Sequence, residues 1–270
     1  MQTKTPRRGT TQLTRRGRIA LIATGAAAAA AAVAVPLLLP DDDAGPKTLT
    51  IPEGWRAGQV YAAVDKALEV PAGTTKKALP KAHLKLPRDA GGNPEGYLFP
   101  ATYPINSQST PASVLSYMVE TANKKFSGGQ ATAGADQNAM NLYQTVTIAS
   151  MIEAEAGSKE EMGKVARVIR NRLDQGMPLQ MDSTINYALN RSTLATSERD
   201  TKISSPYNTY ARMGLPPTPI GNPGEEAMRA AINPTPGNWL YFVTVKPGDT
   251  RFTASFSEHQ KNVEEFNKAN

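Results

Sequence analysis

Apolar positions recur at helical spacing over most of the chain from residue 57 onward, and the clearest run is Leu142 to Gly176. Leu142, Val146, Ala149, Glu153 and Ala156 share one face, which puts Glu153 on an otherwise apolar stripe. Gly157 suits the C′ position of that helix, and Ser158 suits the N-cap of the next, with Glu161 three residues on to close a capping box. The second helix buries Met162, Val165, Ala166, Ile169 and Leu173 and stops at Gly176, ahead of Pro178. Further helices are predicted over Val60–Leu68, Thr74–Leu79, Pro111–Phe126, from Thr184 to Leu189, over Glu225–Ile232, and over Ser257–Ala269 with Val263 and Phe266 inward. Alternation predicts strands at Lys47–Ile51, Leu240–Val245 and Arg251–Phe256, the last two joined by a turn at Pro247-Gly248-Asp249. Many helices with a few antiparallel strands make the expected fold class α+β.

The N-terminal pattern is of another kind. Ile19 to Leu39 carries no charge over 21 residues. A helix of that length is roughly 30 Å long, enough to cross a bilayer core. Five arginines (Arg7, Arg8, Arg15, Arg16, Arg18) precede it and Asp41 to Asp43 follow it, so the positive-inside rule places the N-terminus in the cytoplasm and the body outside. The rival is a cleaved signal peptide, because Ala32-Val33-Ala34 resembles a small-x-small cleavage site and Arg15-Arg16 is a twin-arginine pair. An uncleaved anchor is the expectation adopted. The chain then divides into a basic cytoplasmic tail over 1–18, a transmembrane helix over 19–39, a linker over 40–47, a first folded region over 48–130 and a second over 131–270.

Composition narrows the chemistry. The net charge of +6 is matched by the six cations ahead of Asp41, so the body is near neutrality and no nucleic-acid partner is indicated. There is no cysteine, which excludes disulfides, thiol nucleophiles, cysteine metal sites and a lipid-attachment cysteine. Two histidines, His83 and His259, make a histidine zinc site or a Ser-His-Asp triad a poor expectation. Neither a metal nor an organic cofactor is implied. What remains is carboxylate chemistry, with Glu153 or Glu155 as the acid: either an ordinary core-edge glutamate or a desolvated general acid with a raised pKa.

Several loops could line a groove. Gly91–Ile105 is dense in Gly, Pro and aromatics, and Tyr97, Phe99 and Tyr103 suit a packed junction better than sugar faces. Asp182, Ser183 and Thr184 fit a helix N-cap as readily as a binding loop. Tyr207-Asn208-Thr209-Tyr210 and the proline-rich run from Gly214 to Ile220 are stiff segments able to hold side chains in place. His259 reads as a surface or capping residue.

Taken in order, IPEGW from Ile51, EGYLFPATY from Glu95, IASMIEAEAG, VARVIRNRL, GMPLQMDSTINYAL, PYNTY, GLPPTPIGNPG and YFV resemble the YceG-like (MltG) family of endolytic murein transglycosylases over roughly Thr48 to Phe266. The resemblance implies a membrane anchor, a LysM-like subdomain and a mixed α+β catalytic domain. By it Glu153 matches the family's catalytic glutamate in the pattern ASxxExE, and Glu155 is a possible second acid. Ser183 stands where many relatives carry proline, and Thr196 to Lys202 match none of the family's landmarks. The implied reaction cleaves the β-1,4 bond from N-acetylmuramic acid to N-acetylglucosamine, giving 1,6-anhydro ends and terminating strand growth. Peptidoglycan strands and cell-wall synthases are the implied partners. Gln180, Asp182, Ser183, Thr184, Tyr207, Asn208 and Tyr210 are the expected groove residues. A hydrolytic muramidase, with Glu155 or Asp182 activating water, and a non-catalytic glycan-binding scaffold are the alternatives.

Overall fold

The computed structural model describes residues 47–126, 140–192 and 196–269. Strand β1 (Thr48–Thr50) pairs antiparallel with β2 (Thr102–Pro104), with Leu49 opposite Tyr103 and the hydroxyls of Thr50 and Thr102 in contact at 2.9 Å. A turn through Pro52–Trp55 leads into helix α1 (Ala57–Ala67), whose N-cap residue Arg56 donates its backbone N–H to Gln59 Oε1. Helix α2 (Thr74–Ala78) is capped from a distance: Asp65, on α1, accepts the N–H groups of Gly73 and Thr75 and the Thr75 hydroxyl. Helix α3 (Pro111–Phe126) buries Val114, Leu115, Met118, Val119 and Ala122, the face its spacing predicts.

Helix α4 (Leu142–Glu155) is the axis of the molecule. It is buried without a break from Thr145 to Ile152, so the expected stripe is in fact a helix surrounded on all sides. Asn141 caps it and Gln144 closes the reciprocal bond. Helix α5 (Lys159–Asp174) starts at the N-cap Ser158, but Glu161 reaches back to the N–H of Gly157 rather than to Ser158. Gly157 is not in the left-handed region expected of a C′ glycine, and a Cβ there would lie 3.2 Å from Glu161 Oε2.

Helices α6 (Asp182–Ala188) and α7 (Glu225–Ile232) pack against α4, and α7 also packs on α5. A hairpin of β3 (Tyr241–Lys246) and β4 (Asp249–Thr253) turns at Gly248, whose φ of +80° no L side chain adopts readily. Helix α8 (Phe256–Ala269) covers the hairpin, yet Phe266 is exposed, contrary to the inward position its spacing predicts. One continuous apolar core runs from Leu49 and Ile51 through Tyr97, Leu98 and Phe99 into α3, α4, α5 and α7. The flat rings of Tyr97, Phe99 and Tyr103 are buried in it, and Tyr97 and Phe99 both meet Phe126 edge-on.

The α+β class holds, but its expected transmembrane helix requires correction. Residues 19–39 lie outside the described residues. Among the described residues no helix is long and apolar enough to cross a membrane. The longest, α3 and α5, have 16 residues each and one polar face, whereas spanning a bilayer takes about 20 predominantly apolar residues.

Candidate active site

Glu153 sits in the last turn of α4, where the buried helix emerges into an open cleft of about 380 Å³. Its walls draw on separate stretches, among them Glu53, Trp55 and Arg56 from the turn before α1, Glu153 from α4, Ser183 and Asn186 from α6, and Ile220 from the loop before α7. The Glu153 side chain is half-buried, and its Oε2 accepts the N–H of Gly224 at 3.0 Å. Gly224 is the N-cap residue of α7, so the carboxyl also faces the positive end of that helix. Burial raises the pKa of Glu153 above the usual carboxylate range, and the charge of Glu53 adds to the rise. The Gly224 N–H and Lys159 oppose it.

Glu155 is also pushed up by burial, so the direction of its pKa does not separate it from Glu153. Geometry does. Glu155 Oε1 accepts the N–H of Ser183 at 3.0 Å, in the first turn of α6, whose N-cap residue Met181 offers no side-chain cap. Glu155 thus caps α6 from a neighbouring helix and is absent from the cleft wall. Asp182 Oδ1 accepts a hydrogen bond of 2.5 Å from the Tyr210 hydroxyl. Burial and that bond push the Tyr210 hydroxyl upward.

The other expected groove residues scatter. Of them, Ser183 alone shares the cleft wall with Glu153. Thr184 is fully buried, donating to the Met181 carbonyl and meeting the Thr209 hydroxyl. Asn208 is buried with its amide wholly engaged in its own loop, donating to the carbonyls of Thr201 and Ile203 and accepting from Tyr210 and Ala211. Tyr207 bonds Thr218 through its hydroxyl and packs on the Tyr187 ring. Gln180 has a left-handed φ of +53° and accepts from Arg172. Arg172, itself buried, donates to the carbonyls of Leu179 and Leu240 and so fixes the loop leading to α6. His259 stacks on Tyr241 away from the cleft wall.

The residues that sequence reasoning passed over come from the Pro52–Trp55 turn and the Gly221–Gly224 loop that grips it. Asn222 is fully buried and ties three segments together. Its N–H and Nδ2 donate to the Trp55 carbonyl, its carbonyl accepts from Gly54, and its Oδ1 accepts from Leu98. The grip is close: a Cβ on Gly221 would sit 2.8 Å from the Gly54 carbonyl oxygen. The paired glycines of GNPG were the available signal, since a glycine without a turn to make marks a close backbone approach.

With this geometry in view, the model of the YceG-like family matches residues 21–265. The chain belongs to the YceG-like family. Two YceG-like relatives are the endolytic murein transglycosylases of Bacillus subtilis strain 168 and Streptococcus pneumoniae strain D39. The first is 38% identical over 173 residues, covering 64% of this chain and 48% of that protein. The second is 33% identical over 245 residues, covering 81% and 44%. The chain therefore spans about half the length of these relatives. A crystal structure of a yceG-like protein from Listeria monocytogenes superposes with a TM-score of 0.70 at 28% identity, covering 81% of this chain and 76% of that one.

Proposed function

We propose that this chain is a peptidoglycan lytic transglycosylase acting within glycan strands, with Glu153 as its acid/base. The observation that carries the reading is the half-buried Glu153 carboxyl, held by one backbone N–H on the wall of an open cleft and shifted toward its protonated form. The names of the murein transglycosylase relatives supply the substrate class.

In this reading the protonated Glu153 gives its proton to the glycosidic oxygen as the bond from C1 of N-acetylmuramic acid breaks. The C6 hydroxyl of the same sugar supplies the electron pair to C1 and loses its proton to the Glu153 carboxylate. The products are a 1,6-anhydro end and a free C4 hydroxyl on N-acetylglucosamine, and no water is consumed. A tethered hydroxyl attacks with a high effective molarity, so the step needs no second carboxylate as base. The Gly224 N–H favours the ionised form that exists between the two proton transfers. The hydrolytic alternative named Glu155 or Asp182 as the water-activating base. The first is spent on the start of α6 and the second on Tyr210.

Residues 48–130 are read as the LysM-like part and 131–270 as the catalytic part, with the Pro52–Trp55 turn lending the former to the cleft. The site of action is extracytoplasmic, where peptidoglycan lies. Cutting newly made strands there would set their length, in company with the synthases that make them. The test is mass spectrometry of products from purified glycan strands. Anhydro-ended products, lost in Glu153→Gln, are expected. Reducing muramic ends, or a fully active Glu153→Gln, would refute the assignment.

A further inference from the structure

Glu53 has no counterpart in the mechanism above, and its setting is costly to build. The turn that carries it is pinned by two backbone bonds of 2.8 Å to Asn222, and its Gly54 has a φ of +75°. The stem of Glu153 packs against that turn: a Cβ on Gly54 would lie 3.5 Å from Glu153 Cγ. On the other side, a Cβ on Gly224 would overlap Glu53 Oε1 at 1.9 Å, so glycine is required there for Glu53 to lie where it does. Gly224 donates its N–H to Glu153 at 3.0 Å. The two carboxyls therefore flank one residue, within about 7–8 Å of each other by standard backbone dimensions. Glu53 is exposed, lines the cleft, and forms no ion pair among the described residues.

We propose that Glu53 is a second working carboxylate of this cleft, accepting hydrogen bonds from the hydroxyl or N-acetyl N–H groups of an amino sugar bound beside Glu153. The inference rests on the reading of Glu153 as proton donor. An ionised carboxylate is an acceptor only, which suits a ligand face rich in O–H and N–H groups. Its charge also acts on Glu153. The other groups to weigh are Lys159 at the start of α5, which opposes the effect, and Arg56 on the same wall. Glu225 and Glu226 begin α7, but Lys125 and Arg229 pair with them. Glu155 is bonded to Ser183.

The experiment follows anhydro-ended product formation from purified glycan strands between pH 4 and 8 in the intact protein, Glu53→Gln, Glu53→Asp and Glu153→Gln, with thermal unfolding of each. A general acid is active below its pKa, and removing a nearby negative charge lowers that pKa. Glu53→Gln should thus move the alkaline limb of the rate profile to lower pH by about half a unit, a rate loss of about threefold above the limb, and should raise KM. Glu53→Asp should return the limb to within about 0.2 unit while KM stays high. A Glu53→Gln variant with unchanged limb and KM, beside an inactive Glu153→Gln, would overturn this proposal and leave the reading of Glu153 intact. An active Glu153→Gln would overturn both. If Glu53→Gln fails to fold, the KM of Glu53→Asp decides, and a value equal to that of the unaltered protein overturns the proposal.

Discussion

Glu95 offers the most quantitative check on the physics of this structure. It is buried, yet no cation pairs with it. Its Oε1 accepts the N–H of Ala57, the first residue of α1, and its Oε2 accepts the Tyr187 hydroxyl. Arg56 lies close, but it spends its guanidinium on the carbonyls of Asn186 and Arg191 and on the face of Tyr187. Burial outweighs these bonds and pushes the carboxyl from 4.5 up to about 7. A raised folded-state pKa means the native state holds its proton longer than the unfolded chain does. The associated stability is fully present below the unfolded value and is lost as pH rises through the folded one. Between pH 5 and pH 8 that loss comes to roughly 2–3 kcal/mol. Glu95→Gln removes the titration while its amide oxygen can still accept from Ala57. Urea unfolding of both proteins across that range should therefore show the variant gaining on the parent by roughly 2–3 kcal/mol, or about 5–10 °C in Tm. Stability curves that stay parallel from pH 5 to pH 8 would refute the reasoning.

Other substitutions probe the scaffold. Glu155→Gln should keep cleavage of glycan strands within about tenfold of the parent, because the amide still caps Ser183. Glu155→Ala should cost about 1 kcal/mol in urea unfolding. Asn222→Ala leaves the buried Leu98 N–H without its acceptor and takes one of two donors from the Trp55 carbonyl, and should cost about 2–4 kcal/mol by the same assay. Two glycines should respond with opposite signs. Gly96, at φ +86°, would drive a Cβ to 2.6 Å from Pro219, so Gly96→Ala should lower stability by about 2 kcal/mol or more. Gly58, within α1 and with nothing within 4 Å of a Cβ, should gain about 0.5–1 kcal/mol on Gly58→Ala.

Helix α3 was legible at full length because its apolar spacing is sharp, Pro111 suits its first turn, and the sequence after Phe126 turns small and polar. The strand β2 was not. Thr102–Pro104 lies in a segment dense in Gly, Pro and aromatics, and only pairing with β1, some fifty residues earlier, makes it a strand. Periodicity also misled in two places. On α4 it drew a stripe where the helix is buried all round, because Thr145, Thr147 and Ser150 satisfy their hydroxyls within the helix and read as polar without being exposed. On α8 it turned Phe266 inward, although that ring is exposed.

The candidate site was legible only where it lies on one helix. Helical spacing marked Glu153 as a carboxyl on an apolar stripe but left Glu155 open, and the ordered family motifs made the choice between them. The groove residues could not be picked, because polar loops that shape a cleft and polar loops that hold themselves together look alike in one dimension. Asn208 and Thr184 prove to spend their polar atoms inward. The wall that faces Glu153 comes instead from a turn about a hundred residues upstream, which reads locally as an ordinary strand-to-helix connection. Its position is set by what is missing on the opposite side: side chains at Gly221 and Gly224 would each collide with it. The same Gly224 presents its N–H to Glu153. One loop of small residues thus positions both Glu153, the proposed proton donor, and the Glu53 carboxylate beside it. It follows that a side chain at Gly224, whose nearest neighbours are all atoms of the Glu53 side chain, should cost cleavage of glycan strands before it costs stability in urea unfolding, whereas one at Gly221, facing the Gly54 backbone, should cost both.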